Sequence, residues 1–152
     1  MRILEAAGLP FGTASYEADE EFLDAVTAAE SLGVEAERVF KTIVMRTDSN
    51  EICVFCVPAN AEVSLKKARA AAGAREIGPV KPGELLALTG YVRGGCSPIG
   101  MKRRYRTFVD ETVRLFDEVY VSAGLKGLQL KLDPETLVRA GEATVVDLTA
   151  PA

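Results

Sequence analysis

The chain has 152 residues, 48% of them hydrophobic and 26% charged, and a formal net charge of −4. That length and balance predict a single domain over residues 1–152, burying roughly 70% of the surface its unfolded chain exposes. The longest near-continuous apolar run, Ile52 to Ala59, falls far short of the ~20 residues that span a bilayer. Met1 to Gly12 lacks the basic-then-apolar order of a secretory leader, and three cysteines, an odd number, do not suggest a disulfide framework. The expectation is a soluble, cytoplasmic protein with no membrane partner.

Short strands and helices alternate along the chain. Phe11 to Glu17 reads as a first strand. Asp19 caps a helix over Glu20 to Leu32, with Phe22, Ala25, Val26, Ala29 and Leu32 on one face and Gly33 ending it. Val39 to Arg46 and Glu51 to Val57 are β-rich runs joined by a predicted hairpin at Thr47-Asp48-Ser49-Asn50. Ser64 opens a helix to Ala72 that Gly73 closes, and Pro82 to Leu88 predicts another ending at Gly90. Thr107 to Asp110 and Glu118 to Ser122 read as strands. Leu128, Leu130 and Leu132 alternate with polar residues as in a half-buried strand. Asp133 caps a helix that Pro134 begins and Gly141 ends, and Val145 to Leu148 supplies a last strand. The order points to an α/β fold.

Gly94-Gly95-Cys96-Ser97-Pro98-Ile99-Gly100-Met101 interrupts this pattern with three glycines in eight residues. Such a loop offers main-chain N–H and C=O groups that a substrate can approach, although a plain structural turn fits the same composition. Charge is unevenly placed. Residues 1–40 hold nine acids and two bases, a balance of −7, which leaves +3 for the rest. Lys102-Arg103-Arg104-Tyr105-Arg106 follows the loop directly, and Lys66, Lys67 and Arg69 form a second cluster. These read either as a solvated surface or as a phosphate-binding face.

Lys41 stands in an apolar strand, where it points to solvent or meets a substrate. With no histidine in the chain, Ser122 cannot be the nucleophile of a Ser-His-Asp set and is a hydrogen-bonding candidate instead. Cys53 and Cys56 lie three apart on a strand and point to opposite faces, which favours core packing over a metal or redox pair. Cys96 is the more exposed thiol by its place in the loop. No metal or cofactor is expected.

Val39-Phe40-Lys41-Thr42-Ile43-Val44, the glycine loop, and Val121-Ser122-Ala123-Gly124 leading to Gly127-Leu128 together resemble the YbaK-type aminoacyl-tRNA deacylases. That family is related to the editing insertion of bacterial prolyl-tRNA synthetases. The likeness runs from about Tyr16 to about Val146. It implies a curved mixed β-sheet approaching a barrel with helices packed outside. It also implies clearance of cysteine wrongly attached to tRNA for proline, the substrate's own thiol attacking its carbonyl.

Residue by residue, the resemblance implies catalytic roles for Lys41 and Ser122. It implies substrate contacts for Tyr16, Gly94, Gly95, Ser97 and Gly100. Lys102, Arg103, Arg104 and Arg106 are the expected tRNA-binding run, with aminoacyl-tRNA as partner and prolyl-tRNA synthetase as a second. This chain departs from the family pattern at Ala18, at Ala123-Gly124-Leu125-Lys126 and at Gln129, where some relatives carry an aspartate. Two alternatives stay open: a non-catalytic tRNA- or RNA-binding module, and a deacylase for another small amino acid such as alanine.

Overall fold

The computed structural model describes residues 2–16 and 25–151. Its elements are α1 (Arg2–Ala6), β1 (Gly12–Ser15), α2 (Ala25–Leu32), β2 (Phe40–Thr47), β3 (Ile52–Pro58), α3 (Leu65–Ala72), β4 (Ile77–Pro79), α4 (Leu85–Thr89), β5 (Arg106–Asp110), β6 (Val119–Ser122), β7 (Leu128–Leu132), α5 (Pro134–Gly141) and β8 (Ala143–Val146). The predicted Asp19 cap and the first turns of its helix lie outside the described residues.

Local chemistry explains most boundaries. The Ser64 hydroxyl accepts from the Lys67 N–H at 3.2 Å, and Gly73, at φ 70°, closes α3. The Asp133 carboxylate accepts from the Thr136 N–H at 2.8 Å to start α5. The left-handed residue that ends α5 is Glu142 (φ 49°) rather than Gly141. The predicted helix at Pro82–Leu88 divides into a 3-10 turn, Pro82–Glu84, and the short α4. Sequence periodicity misses α1 and β4, each under six residues, because so short a run shows no period.

Two sheets form: β1-β7-β6, and β4-β2-β3-β5-β8. The first is antiparallel throughout; in the second, β2 pairs antiparallel with β3 and β4, while β3-β5 and β5-β8 are parallel. The last strand sits at Ala143–Val146, earlier than predicted, because parallel pairing with Thr107–Asp110 sets its register. A parallel bridge between Val39 and Tyr120 ties the sheets together. The result is a curved mixed β structure that stops short of a closed barrel.

β3 lies at the centre, with all seven residues buried. One face of the large sheet carries Met45, Cys53, Phe55 and Phe108 against Ala68 and Ala72 of α3. The other carries Phe40, Cys56 and Val109 against Val121, Leu130 and Leu132 of the small sheet, with Leu137 of α5 and Leu4 of α1. Cys53 and Cys56 thus enter separate cores, as their spacing requires. Ala29 and its neighbours on α2 cover the outer face of the small sheet beside Tyr120.

Candidate active site

The two sheets part along one edge of β2. The Val44 carbonyl accepts from Val80 N–H at 3.0 Å on the β4 side, whereas the Val39 carbonyl accepts from Ala59 N–H at 2.7 Å on the β3 side. Main-chain groups alternate along an antiparallel strand, so those of Phe40 and Thr42 face the same edge as Val44. β4 pairs with Met45–Thr47 and the bridge to β6 sits at Val39. Residues 41–43 between them border open space.

That space is a cavity of about 300 Å³. β2 supplies its floor through Val39 to Ile43, with Lys41 and Thr42 in the middle. Ser122 and Gln129, directly opposite one another in the β6–β7 ladder, form one wall. Gly94 and Cys96 form another, Tyr16 stands at a corner, and Ala25 and Ala28 of α2 complete the enclosure. Two alanines where larger side chains would fill the gap are what leave room there.

The polar groups are distinct in kind. Lys41 Nζ lies 3.8 Å from Glu62 Oε1, with the lysine side chain 23% exposed and the glutamate 88% exposed. Such a pair holds the ammonium weakly, leaving it able to meet a substrate. The Ser122 hydroxyl accepts from the Gly124 N–H at 3.1 Å and keeps its own proton to donate. Thr42 Oγ1 is 3.9 Å from Cys56 Sγ. Gln129, expected on the solvent side of an alternating strand, is instead buried, because the face it shares with Ser122 looks into the cavity.

Cys96 is buried rather than exposed, since it packs with Val44, Ile52 and Val54. Burial pushes its thiol up to about 11, and that of Cys56 up to about 12. Both are protonated and poorly nucleophilic near neutrality. Among the described residues, no group of three or more His, Cys, Asp or Glu is placed to hold a metal.

The structure therefore brings Tyr16, Lys41, Gly94 and Ser122 to one cavity, with Cys96 beside Gly94, and sends Gly95, Ser97 and Gly100 elsewhere. Gly95 packs against the turn after β6, where a Cβ would come within 3.3 Å of the Lys126 nitrogen. Ser97 is buried, its hydroxyl accepting from the Ile99 N–H at 3.2 Å, and Gly100 lines neighbouring clefts with Pro98 and Ile3. The loop folds back on itself, so one side faces Lys41 and the other faces α1 and α5.

Arg103 and Arg104 line that second side, in a cleft of about 340 Å³ that also takes Arg139 from α5. Lys102 is exposed beside them. Arg106 does not belong to this surface. Its guanidinium donates to both Glu51 oxygens at 2.7 and 2.8 Å and to the Ala72 carbonyl at 2.6 Å, clamping β5 to β3 and α3. Sequence reading missed Arg93, at the cavity wall, and Arg139. Each is a lone base in its segment, and only the fold sets it beside the others.

The cavity of this α/β chain combines a lysine, hydroxyls and loop backbone, and the chain has no histidine. The chain belongs to the aminoacyl-tRNA editing domain family, whose model matches residues 19–140. It is 36% identical over 149 residues, 98% of this chain and 91% of the other, to the Enterococcus faecalis protein named "Putative Cys-tRNA(Pro)/Cys-tRNA(Cys) deacylase EbsC". The fold is shared with a structure titled "Crystal structure of a putative trans-editing enzyme for prolyl tRNA synthetase", at TM-score 0.86 and 24% identity over 99% of this chain and 94% of that one. The hypothetical protein APE2540 also shares it, at TM-score 0.88 and 23% identity over 98% and 97% of the two chains. No helix among the described residues is long and apolar enough to cross a membrane.

Proposed function

We propose that this chain is a trans-editing deacylase that clears cysteine from mischarged tRNA(Pro) in the cytoplasm, with prolyl-tRNA synthetase as the enzyme whose errors it corrects. The carrying observation is the cavity at the parting of the two sheets, which holds Lys41, Ser122, Tyr16 and Gly94 around a space suited to a small aminoacyl ester. The editing-domain family of this chain and the name of its 36% identical relative support the same reading.

The resemblance to the YbaK-type deacylases implies substrate-assisted chemistry, and the cavity offers groups that fit it. The cysteinyl thiol attacks its own ester carbonyl, the S–C bond forms, the C–O bond to the terminal ribose breaks, and a cyclic thiolactone leaves. The thiol proton is lost and the released ribose oxygen ends protonated. Intramolecular attack gains from proximity, worth up to ~7–11 kcal/mol in the best cases, and needs no protein nucleophile. Lys41 stabilises the negative charge developing on oxygen, and Ser122 and Gly94 hold the acyl group in attack geometry. Lys102, Arg103, Arg104 and Arg139 supply the phosphate-facing surface.

Purified protein incubated with Cys-, Ala-, Ser- and Pro-tRNA(Pro) tests this. Discharge of Cys-tRNA with Pro-tRNA spared is expected. Discharge of Ala-tRNA in preference would reassign the amino acid, and no discharge with retained tRNA affinity would make the chain a binding module.

A further inference from the structure

Among the described residues, Gln129 Oε1 is a buried oxygen with no hydrogen-bond partner, on a side chain only 5% exposed that lines the cavity holding Lys41. Burying an acceptor unpaired costs folding free energy, and native structures rarely keep one that nothing fills. Here the residue has an obvious cause to be retained: its face of β7 is one wall of the site.

The neighbouring groups define what would fill it. Lys41 and Arg93 can only donate, and Ser122 Oγ, already accepting from Gly124 N–H at 3.1 Å, offers its proton to the cavity. Those donors match the carbonyl and ribose oxygens of an aminoacyl ester. The ester's cationic donor is its α-amino group, and Gln129 Oε1 is a buried side-chain acceptor of the cavity with no partner among the described residues.

We infer that Gln129 seats the α-amino group of the aminoacyl ester and so makes the site selective for substrates that carry a free amine. This rests on the deacylase reading above. An amide oxygen is neutral, so it accepts from both the ammonium and the free amine, the ammonium giving the stronger bond.

Binding of two stable ligands tests it without turnover: 3′-amino-3′-deoxyadenosine carrying either a cysteinyl or a 3-mercaptopropionyl group in amide linkage, the second lacking the α-amine. Wild-type protein should prefer the cysteinyl ligand by roughly ten- to hundred-fold, the ratio expected for a hydrogen bond involving an ionised donor. Gln129→Leu should abolish the preference, read as the ratio of the two affinities measured on the same variant. Gln129→Glu, which keeps an acceptor, should retain it. If the leucine variant fails to fold, Gln129→Met, closer in length, carries the same expectation.

Absence of a preference in wild-type protein, or its survival in the leucine and methionine variants, overturns the inference. The deacylase reading fails separately, if wild-type protein leaves Cys-tRNA charged.

Discussion

The Tyr91 hydroxyl donates to the Ile99 carbonyl at 2.6 Å, tying the far end of the glycine loop to its beginning. The same ring occupies the space beside Gly124, where a Cβ would come within 2.9 Å of Cε1. One tyrosine thus holds the loop against the turn that follows Ser122, and the two cavity walls are positioned together. Gly124, at φ 102°, adopts a backbone conformation that an L side chain resists. Gly124→Ala is expected to lose about 1–3 kcal/mol in urea unfolding, from clash and backbone strain together. Tyr91→Phe, which loses only the hydrogen bond, should lose about 1 kcal/mol. Equal stability of the Gly124→Ala and wild-type proteins would show that the ring does not constrain the turn.

Lys41→Ala should lower deacylation of Cys-tRNA by on the order of 10²–10³, the loss of one charge-assisted contact in the transition state. Folding should change little, because the pair with Glu62 is exposed on the glutamate side. Single-turnover rates and a thermal melt measured on the same variant check both parts. A folded variant with full activity would remove the lysine from the chemistry.

The arginines should separate by role. Charge reversal at Arg103 and Arg104 is expected to weaken tRNA binding and flatten its dependence on salt, because both line an open cleft. Arg106→Ala should instead lower stability by about 1 kcal/mol, its surface exposure limiting the loss of the Glu51 and Ala72 contacts. Its tRNA affinity and salt slope should stay at wild-type values. Affinities at several salt concentrations, beside urea unfolding of each variant, distinguish the two behaviours.

Thiol ionisation sets an alkaline limit on stability. In the folded chain Cys96 holds its proton up to about 11 and Cys56 up to about 12, whereas a thiol freed from burial titrates at 9.0. Between those values the unfolded chain binds fewer protons than the folded one, so stability falls as pH rises. Their contribution is fully present below about pH 9 and is lost as pH rises through about 11 to 12. Unfolding by urea at intervals from pH 8 to 11 under reducing conditions should show the decline, and Cys96→Ala should make it shallower. A slope identical in the variant would mean that Cys96 does not titrate in this way.

A buried, protonated Cys96 also fits chemistry that belongs to the substrate. Cys96→Ser should keep most activity on Cys-tRNA, while wild-type protein should be much slower on Ser-tRNA, whose hydroxyl is the poorer nucleophile. A folded, tRNA-binding but inactive Cys96→Ser would point to a covalent protein thiol.

Local signals in the sequence were enough for the elements with strong termini. Ser64 and Gly73 bound α3, Asp133 and Pro134 open α5, and the β2–β3 hairpin follows from two β-rich runs and the turn between them. These depend on contacts within a few residues, which a sequence displays directly. The separation of Cys53 from Cys56 was equally legible, because side-chain direction along a strand has a period of two.

What tertiary structure alone decided was which residues share a cavity. The glycine loop reads as one unit, yet its fold sends Gly94 and Cys96 toward Lys41 and turns Ser97 and Gly100 away. The basic run reads as one patch, yet Glu51 and the Ala72 carbonyl capture Arg106 while α5 brings Arg139 to its neighbours. Gln129 reads as a solvent-facing position, and pairing with Ser122 beneath α2 buries it. Each outcome depends on partners tens of residues away. Pattern along the chain records which residues can face inward; only the closing of one sheet against the other determines what they face.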